Sequence, residues 1–108
     1  MDLFSKIGLL CFTLLYLVVG CSSSDRAIEI SKLETDPTRG KSLYQTLCKG
    51  CHGARGTGRS GPNLVTHIQH HDVDEFADYI LEGPGSMPSF DHLENQEIAD
   101  LIAYIETL

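Results

Sequence analysis

Two thiols and an imidazole stand at a fixed spacing in the run Cys48-Lys49-Gly50-Cys51-His52. Cysteines two residues apart can each form a thioether with one of the two vinyl groups on the same side of a porphyrin. The adjoining histidine is then held under the iron as its proximal ligand. Cys-x-x-Cys alone also serves thiol redox chemistry or half of a zinc site. Those uses want a βαβ context or a second ligand pair at a short, regular spacing, and neither accompanies this run. The motif therefore points to one covalently attached haem c, with Cys48 and Cys51 as attachment points and His52 as ligand.

A second axial ligand has few candidates. Once the leader described below is set aside, Met87 is the only methionine left. It lies in Gly83-Pro84-Gly85-Ser86-Met87-Pro88, where glycines permit close backbone approach and prolines limit flexibility. A methionine that merely fills core space would more often sit on a helical stripe. His67, His70, His71 and His92 are rivals, because imidazole binds haem iron at least as readily as a thioether. Solvated loop histidines are the commoner outcome, and one of these four could instead bond a haem propionate.

Leu17-Val18-Val19-Gly20-Cys21 ends a segment of another kind. Lys6 precedes an apolar run from Ile7 to Val19, the layout of a secretory signal. That run is short for a membrane span, which needs about 20 residues, although an uncleaved anchor starting near Leu3 is the competing reading. The five residues also resemble the lipobox of bacterial lipoproteins, whose cysteine is acylated and becomes the mature N-terminus. On that resemblance Cys21 carries lipid, and each buried methylene would add about 0.8 kcal/mol of anchoring. With Cys11 discarded, no pair is left for a disulfide. Residues 1–20 are thus expected to be a signal, 21–35 a lipidated cysteine and flexible tether, and 36–108 the folded domain. The tether would reach at most about 50 Å; within it Ala27-Ile28-Glu29-Ile30 alternates and suggests a short strand or a docked segment.

Charge is split along the chain. Residues 21–59 hold seven Lys/Arg against four Asp/Glu, whereas residues 60–108 hold ten Asp/Glu and no Lys/Arg, which accounts for the net charge of −7. An acidic face could steer a basic redox partner, although acidic helix faces also simply keep an exported protein soluble. The sign argues against nucleic acid as a partner. A mature chain this short buries a thin core of its own, so haem is expected to complete it and the haem-free chain to be poorly folded.

Three helices are needed to position these groups. Asp36-Pro37 is a helix start, running to about Leu47, with Gly40, Tyr44 and Leu47 on one face. Glycine inside a helix costs about 1 kcal/mol relative to alanine, so Gly40 suggests another backbone passing close by. Asp72 to Leu81 carries an apolar stripe of Val73, Phe76, Ala77, Ile80 and Leu81, with Gly83 where a helix would stop. A third helix spans about Asn95 to Glu106, with Ile98, Leu101, Ile102 and Ile105 on one face. No comparable strand pattern appears, so the fold class is all-α.

Residues 36–108 resemble the small class I c-type cytochromes, in which three main helices wrap around one covalently bound haem. In that family the first and last helices cross where a glycine and an aromatic of one meet an aliphatic and an aromatic of the other. Gly40, Tyr44, Leu101 and Tyr104 match those places. The family's Gly-Pro-Asn-Leu run matches Gly61-Pro62-Asn63-Leu64, which implies that the Pro62 carbonyl accepts a hydrogen bond from His52. The family's Met-Pro loop before the last helix implies Met87 as distal ligand. A soft thioether raises the reduction potential relative to two imidazoles, and with both axial positions filled outer-sphere electron transfer is what remains.

The expected protein is thus a bacterial lipoprotein with one haem, an electron carrier and no enzyme, held outside the cytoplasm on a lipid bilayer through Cys21. Its expected donor and acceptor are redox proteins in membrane complexes, with no small-molecule substrate. Two other classes stay open. A gas-binding sensor or small peroxidase requires Met87 to leave the iron easily, and a thiol redox protein requires free Cys48 and Cys51. A cytochrome subunit of a larger oxidase or dehydrogenase would look the same in sequence.

Overall fold

A computed structural model describes residues 23–108, and every regular element among them is an α-helix. These are α1 (Asp25–Ser31), α2 (Pro37–Leu47), α3 (Lys49–His52), α4 (Leu64–Ile68), α5 (Val73–Glu82) and α6 (Asn95–Ile105). The three helices expected from periodicity are α2, α5 and α6, each within a residue or so of its expected bounds. Local chemistry sets those bounds. Asp36 accepts from the Thr38 amide at 3.0 Å and Pro37 follows at the first helical position. Glu75 and Glu97 reach back to the amides of Asp72 and Glu94 at 3.2 and 3.0 Å, each satisfying a donor the helix leaves free. Gly83 ends α5 in the left-handed region at φ 65°.

The crossing of α2 and α6 is the most extensive helix pair, and it explains the mid-helix glycine. A Cβ on Gly40 would lie 1.9 Å from the Asp100 carbonyl oxygen, so α6 passes at a distance only glycine allows. Tyr44 packs beside Tyr104 with ring centroids 5.4 Å apart, and Leu101 is buried in the same contact. A polar fastening accompanies it. The Asp100 carboxylate, 3% exposed, accepts from the Asp36 amide at 2.7 Å and Gln96 Nε2 at 2.9 Å, and pairs with Arg39 Nε at 3.1 Å.

The N-terminal segment departs from expectation. Residues 25–31 form neither a flexible tether nor a strand but helix α1, docked against α5 and α6 with Ala27 and Ile30 buried. Those two residues are three apart and share a helical face, while Glu29 is exposed. A seven-residue helix is too short to persist alone, so long-range bonds decide its state. The Ser24 amide donates to Asp78 Oδ2 at 2.8 Å and the Ser24 hydroxyl donates to Asp78 Oδ1. Arg26 forks across to Asn95 Oδ1 at 2.7 Å, the Asp91 carbonyl at 2.8 Å and the Leu93 carbonyl. The folded unit therefore includes Ser24 to Ser31, ahead of residue 36. The signal expected over residues 1–20 and the lipid expected on Cys21 lie outside the described residues.

Candidate functional site

Cys48 closes α2, and α3 then carries Cys51 and His52 round a single turn in which the His52 amide donates to the Cys48 carbonyl at 2.9 Å. The chain reverses through Gly53 and Gly58 and returns as Gly61-Pro62-Asn63-Leu64. There the Gly61 amide donates to the Cys51 carbonyl at 2.8 Å. This return crosses the imidazole closely. A Cβ on Gly61 would come within 2.8 Å of the His52 ring. His52 Nδ1 lies 2.9 Å from the Pro62 carbonyl oxygen. Since a carbonyl only accepts, Nδ1 carries the proton and Nε2 keeps its lone pair free for a metal. The buried Tyr44 hydroxyl donates to the Gly53 carbonyl at 2.6 Å, tying the end of this turn to α2.

His52 faces a cavity of about 300 Å³, the lower end of the range for ligand sites. Leu64 of α4, Phe76, Tyr79 and Ile80 of α5, Phe90, and Leu101 and Ile105 of α6 form its apolar wall. Cys48, Cys51 and Met87 line the same space, together with Pro62, Pro84 and Pro88. Among the described residues, no carboxylate, lysine or arginine does. The His52 imidazole nitrogen, one thioether, two thiols and a largely aromatic and aliphatic wall fit a flat apolar macrocycle with a soft metal at its centre. They fit thiol redox chemistry poorly. A reactive cysteine needs a lowered pKa, whereas burial, reinforced by the neighbouring Cys51, pushes the Cys48 thiol up to about 11.

The Met87 loop is closed at its base. A Cβ on Gly83 would lie 2.5 Å from the Pro88 carbonyl carbon, so only glycine lets the two ends of the loop meet. The Phe90 amide then donates to the Ile80 carbonyl at 3.0 Å, and the Ser89 hydroxyl to the Leu81 carbonyl at 2.6 Å. Met87 is half-buried, its amide bonded to the Pro84 carbonyl at 3.2 Å.

Of the four rival histidines, only His67 lines the cavity. Its ring lies 4.5 Å from that of His71, 5.2 Å from Tyr79 and 5.8 Å from Phe76. Burial and then the neighbouring His71 hold its pKa below the ordinary value. His71 instead turns its Nδ1 to Glu75 Oε2 at 3.2 Å, His70 is exposed, and His92 lies beside Phe90. The part played by His67, Tyr79 and Phe90 in the wall was not read from sequence. For Tyr79 a signal existed, since it follows Phe76 by three residues on the same helix.

Comparison with known proteins agrees with this geometry. The family described as cytochrome c oxidase, cbb3-type, subunit III matches residues 35–105. The chain is 38% identical over 90 residues to cytochrome c-551 of Bacillus subtilis, covering 78% of this chain and 80% of that protein. It is 32% identical over 81 residues to a cytochrome c-553-like protein of Synechocystis, covering 74% and 76%. Among solved structures, cytochrome cL of Methylophaga aminisulfidivorans superposes with a TM-score of 0.59 at 27% identity, over 66% of this chain and 53% of that one. Cytochrome cL of Hyphomicrobium denitrificans gives 0.57 at 28%, over 76% and 51%. The chain thus spans about half the length of the cytochromes cL it resembles.

Proposed function

Since this chain belongs to the cytochrome c family, we propose that Cys48 and Cys51 attach its haem and that His52 and Met87 supply the two axial ligands. The protein is a small monohaem class I cytochrome c, an extracytoplasmic electron carrier rather than an enzyme, with its haem c covalently bound. When bound, the haem supplies the iron couple through which one electron enters and leaves.

The observation that carries the residue assignment is the 2.9 Å bond from His52 Nδ1–H to the Pro62 carbonyl, made beside a cavity that Met87 also lines. That bond fixes the tautomer, orients the ring and raises the basicity of Nε2. Met87 offers a neutral sulfur from a loop whose ends are pinned, so it can hold its place without strain on α5 or α6. The wall is mainly apolar, and among the described residues the ionisable groups it presents besides His52 are the His67 imidazole, the Tyr79 phenol and the two thiols.

The finer reading places the carrier on a membrane. Cys21 is acylated after removal of residues 1–20, and the donor and acceptor are membrane redox complexes. The lipobox-like Leu17 to Cys21 run supports the anchor. Among the described residues no helix is long and apolar enough to cross a bilayer. Visible spectra of the reduced, haem-loaded protein with and without carbon monoxide test the ligation. A low-spin spectrum indifferent to the gas supports His52/Met87, and a prompt shift rejects Met87 as a firm ligand.

A further inference from the structure

We propose that α1 is a docking plate that sets one defined face of the domain against the bilayer, with the haem cavity held on the other side of α5. This rests on the reading that Cys21 carries lipid. The occupant of the face is the surface of the membrane into which that lipid inserts.

The length of free chain is what decides the matter. Ser24 is fixed to Asp78 of α5 through both its amide and its hydroxyl. Only three peptide steps separate Ser24 from Cys21, a reach of at most about 11 Å. A compact domain of this size has a radius of gyration of roughly 12 Å and so measures roughly 30 Å across. A leash shorter than half of that cannot bring the far side of the domain to the headgroups. The same reach would be about 50 Å if residues 22–36 were free.

Two further observations give the plate its orientation and its hold. Successive helix positions differ by about 100°, so Asp78 stands about 160° round α5 from both Phe76 and Ile80, each two residues away. Phe76 and Ile80 line the cavity. The point of attachment and the cavity are thus on opposite sides of one helix. The Arg26 fork onto Asn95, Asp91 and Leu93 keeps α1 from peeling away, and buried Ala27 and Ile30 add apolar contact. Asp25, Asp78 and Asp91 surround the attachment point, so the acyl chains hold this face and attraction to anionic headgroups does not.

The test uses the full-length, haem-loaded, lipidated protein in phosphatidylcholine vesicles containing a nickel-chelating lipid. With Cys21 acylated and Cys48 and Cys51 in thioethers, no other thiol competes with a single introduced cysteine. Asp25→Cys places a nitroxide on α1. Arg55→Cys places one on the turn after His52, near a glycine whose neighbours are Tyr44, Val65 and Leu108. Headgroup nickel should relax the label at position 25 several-fold more than the label at position 55. Inserting fifteen Gly/Ser residues between Cys21 and Ser22 should level the two. Equal relaxation at both positions in vesicle-bound protein without the insertion overturns the docking plate and leaves the lipid intact. Failure to enter the vesicles, or membrane retention that survives Cys21→Ala, overturns the lipid reading and the plate with it.

Discussion

At the scale of single residues, the chemistry lies in groups whose types and spacing are local. Cys48, Cys51 and His52 could be proposed from sequence because thioether attachment and ligation would demand them within five positions, and Met87 because it stands alone in a Gly/Pro loop; all four line one cavity. Met87→Ala should let the reduced protein bind carbon monoxide and lower its potential while haem stays attached; an unchanged spectrum and potential would remove Met87 from the iron. Tyr44→Phe deletes the donor to the buried Gly53 carbonyl. It should cost about 1–3 kcal/mol, read as a lower midpoint in thermal melts of the haem-loaded form. The place of His67 was not legible, because it depends on how α4 meets α5. With its pKa held below the ordinary 6.5 in the fold, the unfolded chain binds the proton more readily. Its contribution to stability is therefore complete above about pH 6.5 and is lost as pH falls through the lower folded value. Replacement by Gln should flatten that acid limb in pH-dependent melts, and an unaltered limb would assign it to other groups.

Helices were legible where an apolar stripe and a cap agreed, and illegible where distant partners decided. For α2, α5 and α6 the N-caps Asp36, Asp72 and Glu94 and the stop at Gly83 coincide with the ends of the apolar stripes, and the observed bounds follow. For α1 the run Ala27-Ile28-Glu29-Ile30 alternates like a strand. Its helical state comes from Asp78, Asp91, Leu93 and Asn95, more than fifty residues away. Composition could not show those partners. Gly40 was the opposite case, since its cost within a helix already implied a close neighbour. Gly40→Ala would push a methyl group into the Asp100 carbonyl oxygen, a backbone atom that no rotamer change can move. The expected loss is at least about 1–3 kcal/mol, and a melting midpoint equal to that of the parent would mean that α6 crosses elsewhere.

For the molecule as a whole, the division of charge along the chain becomes a division between helices. The ten acidic residues after position 60 sit on or beside α5 and α6, the cations Lys41, Lys49, Arg55 and Arg59 lie on α2, α3 and the following turn, and no formally charged side chain lines the cavity. Stopped-flow oxidation by a cationic small-molecule reagent should slow as salt is raised and oxidation by an anionic one should quicken, because the net charge of −7 dominates at long range. Opposite slopes would show that the cations nearest the haem govern the encounter. The crossing of Gly40 with Asp100 has a consequence in time. Its two sides are made sixty residues apart, so α6, which brings Leu101 and Ile105 to the cavity, leaves the ribosome well after α2 and α3 do. Cys48 and Cys51 therefore emerge long before the wall that will cover them. The order of synthesis itself leaves both thiols open to a haem until α6 arrives and shuts the door.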